Sequence, residues 1–131
     1  MNRLAELTGE ACSGLGEGRA FTSLGWFLRE CETRLGFTPY PGTFNLRISS
    51  PRWPAIRAEL LANPAIVIPR RQGYCAAFCF RALLAGSVEA ALVIPDVAGY
   101  PADKAELLAA APIRPRLNVA DGTRLSLHVQ F

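Results

Sequence analysis

The order of apolar and polar positions divides the chain into short periodic segments separated by Gly- and Pro-rich breaks. In "TSLGWFLRECETRLGF", Leu24, Phe27, Leu28, Cys31 and Leu35 recur at helical spacing and make one apolar stripe. Thr22 or Ser23 is placed to cap this predicted helix, and Gly36 to stop it. A second, shorter helix is expected in "SSPRWPAIRAELLAN", with Ser50 as its cap and the prolines confined near its start. Strand patterning runs from Thr43 to Ile48 and recurs in "AIVIP", "YCAAFCFRALLAG" and "VEAALVIP". It closes in "TRLSLHVQF", where Leu125, Leu127 and Val129 share a face after a tight turn at "DGT". "RLAELTGEAC" is short and mixed, and reads as a strand feeding a glycine loop. From Lys104 to Ala110, intrinsic propensity predicts helix. Many short strands, few helices and no regular βα alternation predict a mainly β fold, an antiparallel barrel with short helical insertions.

Composition narrows the classes. A length of 131 residues fits a single domain, 1–131, and a chain half hydrophobic and 19% charged can fill a core. No apolar run approaches the roughly 18 residues that span a bilayer. "MNRLAELTGEACSG" has acidic residues where a secretory signal would be apolar, so the expected location is cytoplasmic, with no membrane partner. Net charge is +3, and Lys104 is the only lysine among 14 Lys and Arg residues. That balance lacks the dense patch of a duplex-DNA binder, whereas arginine forks also suit phosphates on small ligands. Cys12, Cys31, Cys75 and Cys79 are expected to be structural thiols, since no CxxC occurs and His128 is the only histidine. On one strand, Cys75 and Cys79 would lie about 13 Å apart, too far for a disulfide.

Two stretches carry candidate chemistry. "CSGLGEGRAF" sets Gly14, Gly16 and Gly18 on alternate positions and follows them with Arg19. Without Cβ atoms, backbone N–H groups can turn inward as an anion cradle, to which Arg19 would add a fork. A flexible turn or a β-bulge would use the same glycines. No Gly-Lys-Ser/Thr follows and no βαβ context surrounds it, so neither a Walker A loop nor a dinucleotide fingerprint is present. In "PYPGTFNL", Pro39, Pro41 and Gly42 fix a turn ahead of Thr43 and Asn45, which share a strand face. Their two neutral oxygens can help hold Mg²⁺ where substrate phosphates supply charge; a polar strand face that satisfies the turn is the alternative. Trp26 and Trp53 read as packing residues that could also stack on a planar ligand. Tyr40 and Tyr100, each beside a proline, are ligand-wall candidates, and His128 reads as outward or internally satisfied.

In combination, "GLGEGRAFTSLGWFLRECETRLGFTPYPGTFNL" resembles the archaeal-type CTP-dependent riboflavin kinases, whose pattern runs from Gly-x-Gly-x-Gly through a helix to Pro-Gly-Thr-x-Asn. "VIPDVAGYP", "ELLA", "IRPRLNVADG" and the closing strand follow in the family's order, and residues 50 to 85 match least. The resemblance implies a six-stranded cradle-loop-type β-barrel and a Mg²⁺-dependent phosphotransferase that converts CTP and riboflavin into CDP and FMN. By motif match, Gly14, Leu15, Gly16, Glu17, Gly18 and Arg19 would cradle the nucleotide phosphates. Ala111, Pro112, Ile113 and Arg114 would border the nucleotide, and Thr43 and Asn45 would ligate Mg²⁺. Glu106 would be the catalytic candidate beside the flavin, with Tyr100 and Ala98 on the flavin side. The same match turns the helix predicted over Lys104 to Ala110 into a strand.

The chain departs from the family at Asp96-Val97-Ala98-Gly99-Tyr100, where Arg-Thr often precedes an aromatic or His-Tyr pair. Pro112 and Pro115 also replace residues able to donate hydrogen bonds. Loss of one buried hydrogen-bond partner costs on the order of 1–3 kcal/mol, enough to weaken turnover without deleting the fold. A catalytically degenerate nucleotide- or flavin-binding module of the same fold is therefore the alternative, followed by a nucleic-acid-binding barrel.

Overall fold

The computed structural model describes residues 3–14 and 21–131. Seven strands form one antiparallel sheet: β1 (Leu4–Cys12), β2 (Phe44–Ile48), β3 (Ile66–Ile68), β4 (Ala77–Leu84), β5 (Val88–Pro95), β6 (Lys104–Leu108) and β7 (Arg124–Gln130). The order is β3-β4-β5-β6-β2-β1-β7, and β7 pairs again with β4. That last pairing closes a ring of six strands. It is possible because β4 divides one edge: Ala77 to Cys79 face β3, whereas Ala82 to Leu84 face β7. Closure leaves most strand edges paired, which removes templates for aggregation.

Period-two alternation sorts side chains onto the two faces of the ring. One face carries Leu7, Leu46, Phe80, Leu92, Leu107, Leu127 and Val129, all buried in a common core. Helix α2 (Trp53–Ala62) adds Trp53, Ile56 and Leu60 to it. The Trp53 indole N–H donates to the Ala102 carbonyl at 2.7 Å, so this tryptophan is a packing residue with its polar atom satisfied. The other face of β3 to β6 is covered by α1 (Gly25–Leu35), whose stripe buries Phe27, Cys31 and Leu35 against Ile68, Cys79, Val93 and Leu108. Full burial of a Leu or Phe side chain is worth roughly 1.5–3 kcal/mol, so this stripe is what holds α1 on the sheet.

Several sequence expectations change here. The α1 N-cap is Leu24, not Thr22 or Ser23; the Thr22 hydroxyl instead accepts a hydrogen bond from the Gly42 N–H at 2.7 Å. Gly36 ends the helix as predicted, in the left-handed conformation with φ 87°. Ser50 does not cap α2, whose N-cap is Arg52; the Ser50 hydroxyl accepts from the Thr8 N–H at 2.7 Å. In both places a tertiary contact takes the hydroxyl that local capping would have used. Lys104 to Leu108 is a strand, and helical propensity loses because both its edges find partners, β2 and β5. A third helix, α3 (Ile113–Leu117), follows it, and its internal Pro115 sits in the first turn where no helical N–H is needed. Cys75 precedes β4 rather than sharing it with Cys79. All four cysteines are free, and burial pushes the Cys31 and Cys79 thiols up to about 12, out of reactive range. No helix among the described residues is long and apolar enough to cross a membrane.

Candidate functional site

The turn Pro39 to Gly42 aims the start of β2. Gly42 has φ 95°, open to glycine and strained for other residues. Its N–H is held by Thr22, and the Tyr40 N–H donates to the Ala109 carbonyl at 2.7 Å. Beyond this turn, Phe44, Leu46 and Ile48 enter the inner core, so Thr43 and Asn45 must face the other way. Asn45 is opposite Glu106 on β6 and opposite Cys12 on β1.

Glu106 is the hub of the cluster. Its Oε1 accepts from the Thr43 hydroxyl at 3.1 Å, and its Oε2 accepts from the Tyr100 hydroxyl. The Lys104 ammonium lies 3.9 Å from Oε1. The carboxylate is only 14% exposed, so it is not a surface charge. Burial, reinforced by the bond to Glu106, pushes the Tyr100 phenol well above its ordinary range, so Tyr100 stays a donor at neutral pH.

Asn45 is buried, and its Oδ1 has no hydrogen-bond partner, while its Nδ2 makes one long bond to the Thr43 carbonyl at 3.4 Å. A buried amide oxygen left open costs stability, and it fits a hard cation. Gly14 is what allows this side chain its place: a Cβ on Gly14 would sit 2.5 Å from Asn45 Nδ2. The first glycine of the glycine run therefore touches the second motif directly. Leu15, Gly16, Glu17, Gly18 and Arg19 lie outside the described residues. No group of three or more His, Cys, Asp or Glu among the described residues could hold a metal. A cation here would rest on neutral oxygens and on charge brought by a ligand, and Thr43 and Asn45 fit Mg²⁺ on those terms.

Arg114 reaches the same strand end. Its guanidinium donates to the Cys12 carbonyl at 3.2 Å and to Asp121 at 2.6 Å, and stacks 5.6 Å from the centre of the Phe44 ring. Asp121 also accepts from the Ser13 hydroxyl at 2.6 Å. That bond, and then Arg114, hold its carboxyl below the usual range. Of the neighbouring predicted residues, Ala111 and Pro112 are half-buried, and Ile113 points into the inner core rather than toward a ligand.

Beside the Glu106 cluster opens a cavity of about 520 Å³. Thr43, Lys104, Glu106 and Tyr100 form its polar end, Val97 and Ala98 line it as well, and Phe21, Trp26, Phe27 and Tyr74 supply aromatic wall. Phe21 and Tyr74 meet edge-on at 5.5 Å, and Trp26 lies 5.5 Å from Tyr74. The structure thus unites Thr43, Glu106, Tyr100 and Ala98 in one cavity, with Asn45 and Gly14 adjoining. Tyr40 is exposed and does not line it. His128 pairs with Glu6 at 3.5 Å, away from this site. Sequence reasoning missed Phe21, Tyr74 and Lys104 as wall residues, Asp121 as the partner of Arg114, and Ser13 as the second donor to Asp121. Ser13 and Phe21 lie within the glycine-loop stretch and Asp121 within "IRPRLNVADG", but what each of them touches is set by tertiary contacts that no local spacing signals.

Residues 11–129 match the family model CTP-dep_RFKase, described as domain of unknown function DUF120. The chain is 41% identical over 128 residues to the riboflavin kinase of Pyrobaculum calidifontis, covering 95% of this chain and 59% of that protein. It is 31% identical over 131 residues to the riboflavin kinase of Methanosarcina barkeri, covering 97% and 57%. It is 35% identical over 130 residues to that of Archaeoglobus fulgidus, covering 95% and 54%. The chain therefore spans somewhat more than half the length of the curated relatives it matches. With the match running from the end of β1 to the end of β7, the chain belongs to the CTP-dependent riboflavin kinase family.

Proposed function

We propose that residues 1–131 act as one domain that transfers the γ-phosphoryl group of CTP to riboflavin, giving CDP and FMN. The observation that carries this reading is the meeting of an open, buried Asn45 oxygen with a flavin-sized aromatic cavity at one carboxylate, Glu106. A pocket of this size and apolarity with a few convergent polar groups suits a planar ligand. In this reading the closed six-strand ring is the family's cradle-loop barrel. The loop from Gly14 to Arg19, with Arg114 and the neighbouring Ala111 and Pro112, holds the nucleotide. Four free thiols suit a reducing, cytoplasmic location.

Thr43 and Asn45 would hold Mg²⁺, which when bound offsets charge on the phosphate oxygens. The remaining work is positioning. The aromatic wall seats the flavin ring so that the ribityl chain points toward Glu106. The terminal ribityl oxygen forms a bond to the γ-phosphorus as the bond to the β–γ bridging oxygen breaks, and CDP leaves with that electron pair. Glu106 orients the hydroxyl through lone pairs that Thr43 and Tyr100 leave free. It is the only carboxylate among the described wall residues, so the hydroxyl proton passes to it or to water.

Val97 and Ala98 offer the cavity no polar side chain, which favours a second reading, a module that binds flavin and nucleotide without transfer. Incubation with riboflavin and Mg²⁺, plus CTP, ATP or GTP in parallel, separates the two. FMN formed with CTP and not with the purine nucleotides is the expected result. Binding of both ligands without FMN selects the second reading, and binding of neither overturns both.

A further inference from the structure

We propose that Lys104 recognises the phosphate once it sits on the acceptor, so that the cavity prefers a phosphorylated flavin to an unphosphorylated one. The inference rests on the flavin-site reading above and adds a specificity residue to it. Lys104 and Glu106 are the only charged side chains among the described residues that line the cavity. They leave β6 on the same face, two residues apart, at the end where Thr43 and Tyr100 also converge.

The ammonium is poorly committed to its present partners. Its distance to Glu106, 3.9 Å, exceeds the 2.7–2.9 Å of a charge-assisted hydrogen bond. Its other contact among the described residues is with the face of the Tyr100 ring, 5.5 Å from the centroid. Meanwhile both Glu106 oxygens are already supplied with hydroxyl donors. Three ammonium hydrogens are therefore available to an anion beside Glu106. The side chain is 23% exposed, so its charge acts through a partly desolvated space, where screening is weaker than at the surface. A phosphate delivered next to a carboxylate meets like-charge repulsion, and Lys104 is the one described side chain in the wall that offsets it. A neutral ribityl hydroxyl in the same place has no such need.

Flavin fluorescence titrations of the full chain with riboflavin and with FMN, without nucleotide or metal, test this. Lys104→Met is expected to weaken FMN binding about tenfold, the scale of one lost charge-assisted contact, and to leave riboflavin affinity within about twofold. Retained riboflavin binding doubles as the control for folding. Lys104→Arg, which keeps the charge, is expected to recover most of the FMN affinity. If FMN affinity does not change in Lys104→Met, or both flavins weaken together, Lys104 is a wall residue only and the inference is overturned. If the unaltered chain binds neither flavin, the flavin-site reading itself is wrong, an outcome distinct from failure of Lys104 alone.

Discussion

The two ends of the site are built differently. The proposed cation end is set by backbone: Gly14 lies against Asn45 with no room for a Cβ, and the Gly42 turn, tied to Thr22, aims β2. The proposed acceptor end is set by side chains from separate places. Phe21 comes from the segment ahead of α1, Trp26 from its first turn, Tyr74 from the loop before β4, Val97 to Tyr100 from the loop after β5, and Lys104 and Glu106 from β6. Thr43 and Glu106 join the two, since the Glu106 carboxylate is bonded to Thr43 on one side and Tyr100 on the other, and Thr43 also lines the cavity. An end made of backbone tolerates few substitutions. One made of dispersed side chains can be re-lined while the fold persists.

The sharpest way to break this comparison is Asn45→Ala. With no partner on Oδ1 to lose, the variant is expected to unfold within about 1 kcal/mol of the parent. FMN formation should fall about 100-fold, the upper range for lost support of a metal site. A denaturant titration alongside the rate measures both, and an unchanged rate removes Asn45 from the cation end. Gly14→Ala comes next. Its new Cβ must displace the Asn45 amide, so Mg²⁺-dependent CTP binding by calorimetry should weaken about tenfold, with riboflavin affinity unmoved.

Trp26→Ala probes the other end and should invert the pattern. Riboflavin affinity is expected to drop severalfold to tenfold, the low end of the about 1–3 kcal/mol that aromatic stacking is worth, while CTP affinity holds. Equal effects on both ligands would mean that the two ends are not separate. The smallest effect is expected from Asp121→Asn. Ser13 and Arg114 depress the Asp121 carboxyl in the folded state, so its contribution is present above the ordinary carboxylate range. It is lost as pH falls through the depressed folded value. Stability curves of the two proteins should therefore differ slightly at neutral pH and converge in acid; a gap that persists in acid would contradict the ion-pair role.

Legibility in the sequence follows the same division. The shared face of Thr43 and Asn45 could be read because the Pro-Gly turn fixes the start of β2 over a few consecutive residues and strand alternation places the two together. Most strands were legible for the same reason. Lys104 to Leu108 was not legible from propensity, because its pairing with β2 and β5 is decided by residues far away in the chain. The caps expected at Thr22 and Ser50 failed through long-range competition, since Gly42 and Thr8 take those hydroxyls. Phe21 and Tyr74 meet across more than fifty positions, and Lys104 meets Tyr100 only once the loop after β5 has folded back. Such wall residues have no period and no fixed spacing.

One measurement bears most directly on the claim that both ends serve a single reaction. CTP labelled in its γ-phosphoryl group is incubated with the protein, riboflavin and Mg²⁺, and the label is followed. The account predicts that it appears in FMN, in step with CDP, and that chelation of the metal stops both. Label released only as inorganic phosphate, or retained in CTP while flavin stays bound, would contradict it.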